Sequence, residues 1–360
     1  MNAPLAAIVP VLLLMGCSSS KPPQGVLLVT IDTWRSDHFT EQRTPAAWAL
    51  GGARFRDAWS PIGLTTAAHA SLFTGLLPPE HGLRGNNHHG YVLPESASTV
   101  AERFQSHGWS TGGFVSAYPA RLDQGFDLFS APESGERSGE IAVSEARGWI
   151  EARTRPWFAW VHLFEPHGPY QGDADTDAGR YAQEVALADA LLAPLFEQVK
   201  GSWVVLTSDH GEVHEEETCG WQHARSSSPV VLRVPLVVAG PGIQDSWPDR
   251  MVGLTDLHDT LLELPGLQDG TTVFEVEREA WVGESGFCDP GCAAGCTPEG
   301  FLGKDRTVYG REGGKLVDRP GVGLIGDAAF APRLEGYPSP TEEPADLDIE
   351  QARSLGYWEQ

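Results

Sequence analysis

Positive charge is the first thing this chain is short of: 25 Lys and Arg stand against 49 Asp and Glu, a net charge of −24. Nothing in it resembles a basic stripe able to displace phosphate counterions, which excludes nucleic acid as a partner. The same deficit disfavours electrostatic adhesion to anionic lipid. An anionic substrate would therefore need a local positive field, and a metal ion is the obvious supplier. Long apolar runs are missing too: the stretch from Ala6 to Met15 is too short to span a bilayer. There are no internal repeats, and only five cysteines. With 41% hydrophobic and 21% charged residues in 360, the composition is that of a globular chain able to bury a full core.

The amino terminus is set apart from the fold. The apolar stretch ends in Leu14-Met15-Gly16-Cys17, and a polar spacer, Ser18-Ser19-Ser20-Lys21, follows. A lone Cys at the end of an apolar run resembles a bacterial lipoprotein signal. Residues 1–24 are accordingly expected to be a signal and tether, with Cys17 lipidated and the protein held in the cell envelope, facing the periplasm or the exterior. The segment Met1-Asn2-Ala3-Pro4 departs from the pattern in carrying no Lys or Arg. After export, Cys219, Cys288, Cys292 and Cys296 remain, an even number expected to form disulfides in an oxidising compartment. The last three lack the Cys-x-x-Cys spacing of zinc knuckles.

What is present is an alternation of strand and helix patterns, the signature of a mostly parallel sheet covered by helices on both faces. Strands are expected at Val26–Ile31, Ser110–Ser116, Trp157–Leu163, Trp203–Leu206 and Leu232–Val238, with helices over Ser98–His107, Glu140–Ala152, Arg180–Val199 and Leu254–Leu264. In the third helix Tyr181, Val185, Ala188, Leu192 and Leu195 are spaced for one apolar face. Residues 25–270 thus read as one α/β domain. From 271 to 360, Cys, Gly and Pro rise, and short strands at Arg306–Tyr309 and Lys315–Val317 suggest a small antiparallel subdomain, with a last short helix at Leu347–Leu355.

The chemistry gathers where strands end. Val26–Ile31 stops at Asp32, and Trp203–Leu206 leads into Asp209-His210-Gly211-Glu212. In an open α/β sheet ligands bind beyond the carboxyl ends of strands. Adjacent Asp and His there are hard and borderline metal ligands. Between these strands, Thr65 or Thr66 is expected to cap a helix through Ala67–Phe73, placing a hydroxyl at the positive end of a helix dipole.

At this point the sequence resembles the sulfatase family of the alkaline phosphatase superfamily. The matching pieces are Val29-Thr-Ile-Asp32-Thr-Trp-Arg35-Ser-Asp37, Thr65–Gly82, His162-Leu-Phe-Glu165-Pro-His167-Gly-Pro-Tyr170, Thr207–Glu212, Arg233-Val-Pro235 and Leu254-Thr-Asp256. The resemblance implies an alkaline phosphatase-like α/β fold with a small C-terminal α+β subdomain. It also implies a divalent cation on Asp32, Asp209 and His210, with Thr65 as a further ligand. Thr65 takes the nucleophile's place, which in typical sulfatases is the Cys or Ser that becomes formylglycine, and His69 takes the place of the motif's arginine. Thr66 is the reserve. His167 or His223 would protonate the leaving group, and Glu165, His167 and His223 would form a second metal site or a polar cradle.

Three departures modify this. Thr33 replaces a second Asp, Glu165 stands where Asp is usual, and Glu217 where His is common. Thr33 together with His210 favours one or two zinc or manganese ions over calcium or magnesium. The expected activity is hydrolysis of a phosphate or sulfate ester on a small molecule, glycan or lipid. The alternatives are a phospho-group transferase on envelope glycans or lipids, and an inactive protein that binds an anionic polymer.

Overall fold

The computed structural model describes residues 24–86, 93–117, 122–133, 135–214, 223–286, 305–319, 323–335 and 337. Cys17, the other four cysteines, Glu217 and the Leu347–Leu355 helix lie outside the described residues, as do His88 and His89. No described helix is long and apolar enough to cross a membrane.

The large sheet holds β1 (Gly25–Ile31), β2 (Ala53–Trp59), β3 (Ser110–Val115), β4 (Leu128–Ser130), β5 (Trp157–Leu163), β6 (Trp203–Thr207), β7 (Arg233–Ala239) and β8 (Met251–Gly253). Its order is β4-β3-β5-β1-β6-β7-β2-β8. Every pairing is parallel except those of β7 with β6 and β2. The expected mostly parallel α/β sheet is therefore present. A second, antiparallel sheet follows, order β12-β11-β10-β9, from β9 (Ala280–Glu284), β10 (Arg306–Gly310), β11 (Lys315–Arg319) and β12 (Gly323–Gly326).

The described helices are α1 (Pro45–Ala49), α2 (Thr65–Thr74), α3 (Pro78–His81), α4 (Val100–Ser106), α5 (Gly139–Glu151), α6 (Asp177–Gln198), α7 (Pro229–Leu232), α8 (Asp256–Glu263) and α9 (Ala331–Glu335). Successive β1 side chains point to opposite faces, and both faces are covered. Val26 and Leu28 pack with Ala67 and Phe73 of α2, Phe104 of α4 and Leu257 of α8. Leu27, Val29 and Ile31 pack with Ala142 of α5 and Tyr181, Val185, Ala188 and Leu192 of α6. All seven β1 residues are buried, which is why every position but Thr30 is glycine or apolar. The apolar stripe read from α6 is the buried one, each aliphatic member worth roughly 1.5–3 kcal/mol of burial.

The sequence reading gave β2 no element, because Arg54, Arg56 and Asp57 break its apolar pattern. Arg54 is nonetheless buried, its guanidinium 4.9 Å from the Trp48 ring and bonded to the Trp48 carbonyl at 2.8 Å. One local expectation is corrected: Thr65 and Thr66 do not cap α2. Leu64 occupies the cap in an extended conformation with no side-chain bond, so the threonines are the first two helical residues.

Candidate active site

Neighbouring β1 and β6 run parallel, so Asp32 and the pair Asp209-His210 leave the sheet at the same edge. A carboxylate oxygen of Asp32, one of Asp209 and a ring nitrogen of His210 all lie within 4.8 Å of one another, and all three residues are fully buried. Each keeps a buried polar atom with no hydrogen-bond partner: Asp32 Oδ1, Asp209 Oδ2 and His210 Nε2. His210 Nδ1 donates to the Gly211 carbonyl at 3.0 Å, leaving the Nε2 lone pair available to a cation. Two carboxylate oxygens and one imidazole nitrogen, desolvated and unsatisfied, fit a divalent cation.

The electrostatics agree. Burial, then the Asp209 charge, raises the Asp32 carboxyl well above the ordinary range. Burial pushes Asp209 the same way, but His210, His69 and His162 outweigh it and hold that carboxyl low. A dication would remove the repulsion between the two.

Thr65 begins α2 directly beside this cluster, and its hydroxyl donates to Asp32 Oδ2 at 3.1 Å. The Thr66 N–H donates to Asn86 Oδ1 at 3.2 Å, which brings a buried carboxamide to the first turn of α2. His69 packs directly against this cluster. It is fully buried, donates from Nδ1 to the Thr65 carbonyl at 2.7 Å, and lies 3.9 Å from Asp209 Oδ2.

The proton pattern behind it is determined. With Nδ1 donating, neutral His69 accepts at Nε2 from the Thr30 hydroxyl, 2.9 Å away. Thr30 also accepts the Trp160 indole N–H at 3.0 Å, so its remaining contact, His162 Nδ1 at 3.0 Å, must be a donor. That leaves the His162 Nε2 lone pair unpartnered, 3.5 Å from Asp32 Oδ2. Burial first, and His162 next, lowers His69 to about 4, which keeps it neutral.

A second group surrounds His223. Its Nδ1 lies 3.0 and 3.1 Å from the two Glu212 oxygens, and its ring stacks on His210 at 4.8 Å and meets His167 edge-on at 5.2 Å. Burial opposes the His223 imidazolium, but Glu212 raises it above the ordinary value. Burial also pushes Glu212 up, and His223 overrides it, holding the carboxyl at about 2. His167 donates from Nδ1 to the Gly168 carbonyl at 2.7 Å, and burial lowers it to about 4. Thus His167 and His223 come together, whereas Glu165 does not join them: its Oε1 accepts the Gly139 N–H at 2.5 Å, at the start of α5.

The family model named Sulfatase matches residues 24–267. The chain belongs to the sulfatase family. As a sulfatase-family protein it is a hydrolase of sulfuric or phosphoric esters. Among solved structures it is similar to a phosphonate monoester hydrolase of Agrobacterium radiobacter, at 18% identity and TM-score 0.65, covering 88% of this chain and 94% of that one. It is also similar to an alkaline phosphatase superfamily protein from Vibrio parahaemolyticus, at 16% identity and TM-score 0.61, covering 93% and 86%. A third similar structure holds its substrate, D-glucosamine-2-N,6-O-disulfate, at 13% identity and TM-score 0.66, covering 93% and 98%. No curated protein sequence matches.

In this sulfatase-family cleft the sequence reading did not assign roles to Glu212, Asn86, His162 and Thr30. Glu212 had a signal, its place directly after Asp209-His210-Gly211. Asn86, 21 residues beyond Thr65 across a turn, had none.

Proposed function

We propose that this sulfatase-family protein hydrolyses phosphorus-centred monoesters or phosphonate esters through a covalent intermediate on Thr65, with sulfate esters as poorer substrates. The observation that carries the reading is the Thr65 hydroxyl, bonded to Asp32 at 3.1 Å beside a cluster able to hold a cation. Asp32, Asp209 and His210, with the Thr65 oxygen, would hold a divalent ion, zinc or manganese from the imidazole among the donors. Once bound, the ion supplies Lewis-acid stabilisation of the ester's anionic oxygens.

The chain's own residues do the rest. The Asp32 carboxylate receives the Thr65 hydroxyl proton. Thr65 Oγ1 then attacks phosphorus as the bond to the alcohol oxygen breaks, and His223 gives that oxygen a proton. Water then cleaves the covalent intermediate, giving a proton to His223; Asp32 returns its proton to Thr65 Oγ1, and phosphate or phosphonate is released. Buried His69 keeps the first turn of α2 in place through the Thr65 carbonyl. The leader ending at Cys17 supports export with lipid anchoring; loss of membrane fractionation in Cys17→Ala tests it.

The purified protein should be assayed on p-nitrophenyl phosphate, bis-p-nitrophenyl phosphate, p-nitrophenyl phenylphosphonate and p-nitrophenyl sulfate, each with zinc, manganese, calcium or EDTA. Metal-dependent turnover that favours a phosphorus ester and disappears in Thr65→Ala sustains the reading. A preference for the sulfate, or an active Thr65→Ala, overturns it.

A further inference from the structure

We propose that Glu212 is the positioning residue for leaving-group protonation: its carboxylate fixes the His223 imidazole so that Nε2 serves the departing alcohol oxygen. The inference rests on the ester hydrolysis proposed above and selects one acid from the two histidines the sequence left open.

Four observations carry it. Glu212 and His223 are both buried, and both carboxylate oxygens lie within 3.1 Å of His223 Nδ1. A carboxylate only accepts, so Nδ1 is the donor and Nε2 is the nitrogen left for chemistry. The carboxylate is itself immobilised: Oε1 also accepts the N–H groups of Val213 at 2.9 Å and His223 at 3.3 Å. It is thereby committed to His223 and stands outside the cluster of Asp32, Asp209 and His210. The ring is packed flat on His210 and edge-on to His167, so rotation about χ2 would break contact on both sides. His167 Nδ1 is instead directed at the Gly168 carbonyl, 2.7 Å away.

Glu212 follows His210 by two residues, so one strand end sets both a cation ligand and the acid's orientation. The proton balance closes. In the first half-reaction the Nε2–H bond of His223 breaks as the alcohol leaves; in the second, the water that attacks the phospho-threonine returns a proton to Nε2.

Glu212→Gln keeps the volume but removes the negative charge and replaces one of the two acceptor oxygens with an NH2 donor, and the test compares it with wild type on aryl phosphates of rising leaving-group pKa, from 2,4-dinitrophenyl to phenyl. General-acid assistance is worth about 10²–10⁴-fold and matters most for poor leaving groups. The expected result is that kcat on phenyl phosphate falls on the order of 100-fold, that 2,4-dinitrophenyl phosphate loses only a few-fold, and that KM holds. His223→Gln should steepen the series alike, and the double variant should be no worse than either.

Equal losses across the series mean a structural role and overturn the proposal. An independent reading comes from ¹⁵N-histidine NMR of the metal-free protein. One low-field ring N–H resonance should vanish in both Glu212→Gln and His223→Gln. Its absence from wild type overturns the clamp whatever the activity. Its presence in a protein that cleaves none of the esters keeps the clamp and removes the proposed function, and with it the acid role.

Discussion

The Tyr181 hydroxyl closes the corner at Thr33 from both sides, donating to the Thr33 carbonyl at 2.8 Å while accepting the Arg35 N–H at 2.9 Å. Thr33 is the one described non-glycine residue with positive φ, at 53°, a conformation that costs a β-branched residue on the order of 1–2 kcal/mol. It lies next to Asp32, and its N–H donates to Asp209 Oδ1 at 3.3 Å, so the strained turn sets both carboxylates. Tyr181→Phe strands two buried backbone groups and should cost roughly 2 kcal/mol of stability. Because the corner orients the ligands, cation affinity should also fall about tenfold. Urea unfolding and calorimetric metal titration measure the two; unchanged affinity would separate the corner from the metal site.

Removing a ligand should separate folding from cation binding. Asp209→Asn removes the like charge that, after burial, raises the Asp32 carboxyl. The metal-free variant should therefore unfold no more readily than metal-free wild type. Wild type at 100 times its Kd for the cation gains about 2.7 kcal/mol, and the variant should gain nothing and turn nothing over. A retained cation-dependent Tm shift in Asp209→Asn would place the ion elsewhere.

Acid should weaken the fold through histidines buried neutral. His81 accepts the Leu83 N–H at Nδ1, 3.1 Å away, and donates from Nε2 to Ser71 at 3.0 Å; burial lowers it to about 4. Its unfolded value is near 6.5, so between these pH values the unfolded chain binds a proton that the folded chain refuses. Stability from this residue is complete above about pH 6.5 and is lost as pH falls toward 4, at about 1.4 kcal/mol per pH unit. His81→Asn keeps an acceptor for Leu83 and should flatten the curve by that amount between pH 6 and 4.5. Denaturant midpoints at several pH values decide it, an unchanged slope being the adverse result.

The small sheet should depend on one buried ion pair. Glu284, fully buried at the end of β9, receives two bonds from Arg84, one of them Nε to Oε1 at 3.1 Å. Arg84→Met removes both of these bonds from the buried carboxylate and should cost about 3–5 kcal/mol. Converting both residues to Met should recover most of that loss. Thermal unfolding of the single and double variants provides the comparison, and a double variant as weak as the single one would contradict it.

What the sequence determined by itself was whatever lives on one strand or one helix face. The apolar-rich runs of β1, β5 and β6 read as buried strands because helices cover both sides of the sheet. The α6 stripe read as one face because its period is that of a helix. The family pattern then brought Asp32, Asp209, His210 and Thr65 to a common edge, since parallel neighbours end together.

What only the tertiary structure decided was set by contacts between distant segments. Local pattern gave no sign of β2, whose buried arginine is accommodated by Trp48. His69 and His162 meet at Thr30 across 39 and 132 residues, and that hydroxyl, not their sequence positions, decides their tautomers. Glu212 lies 11 residues from His223 with undescribed chain between, so their pairing waited on the fold. Hydrogen-bond direction is a property of two groups at a distance and an angle. Spacing along a chain specifies neither, which is why the ligands could be read from the sequence and their partners could not.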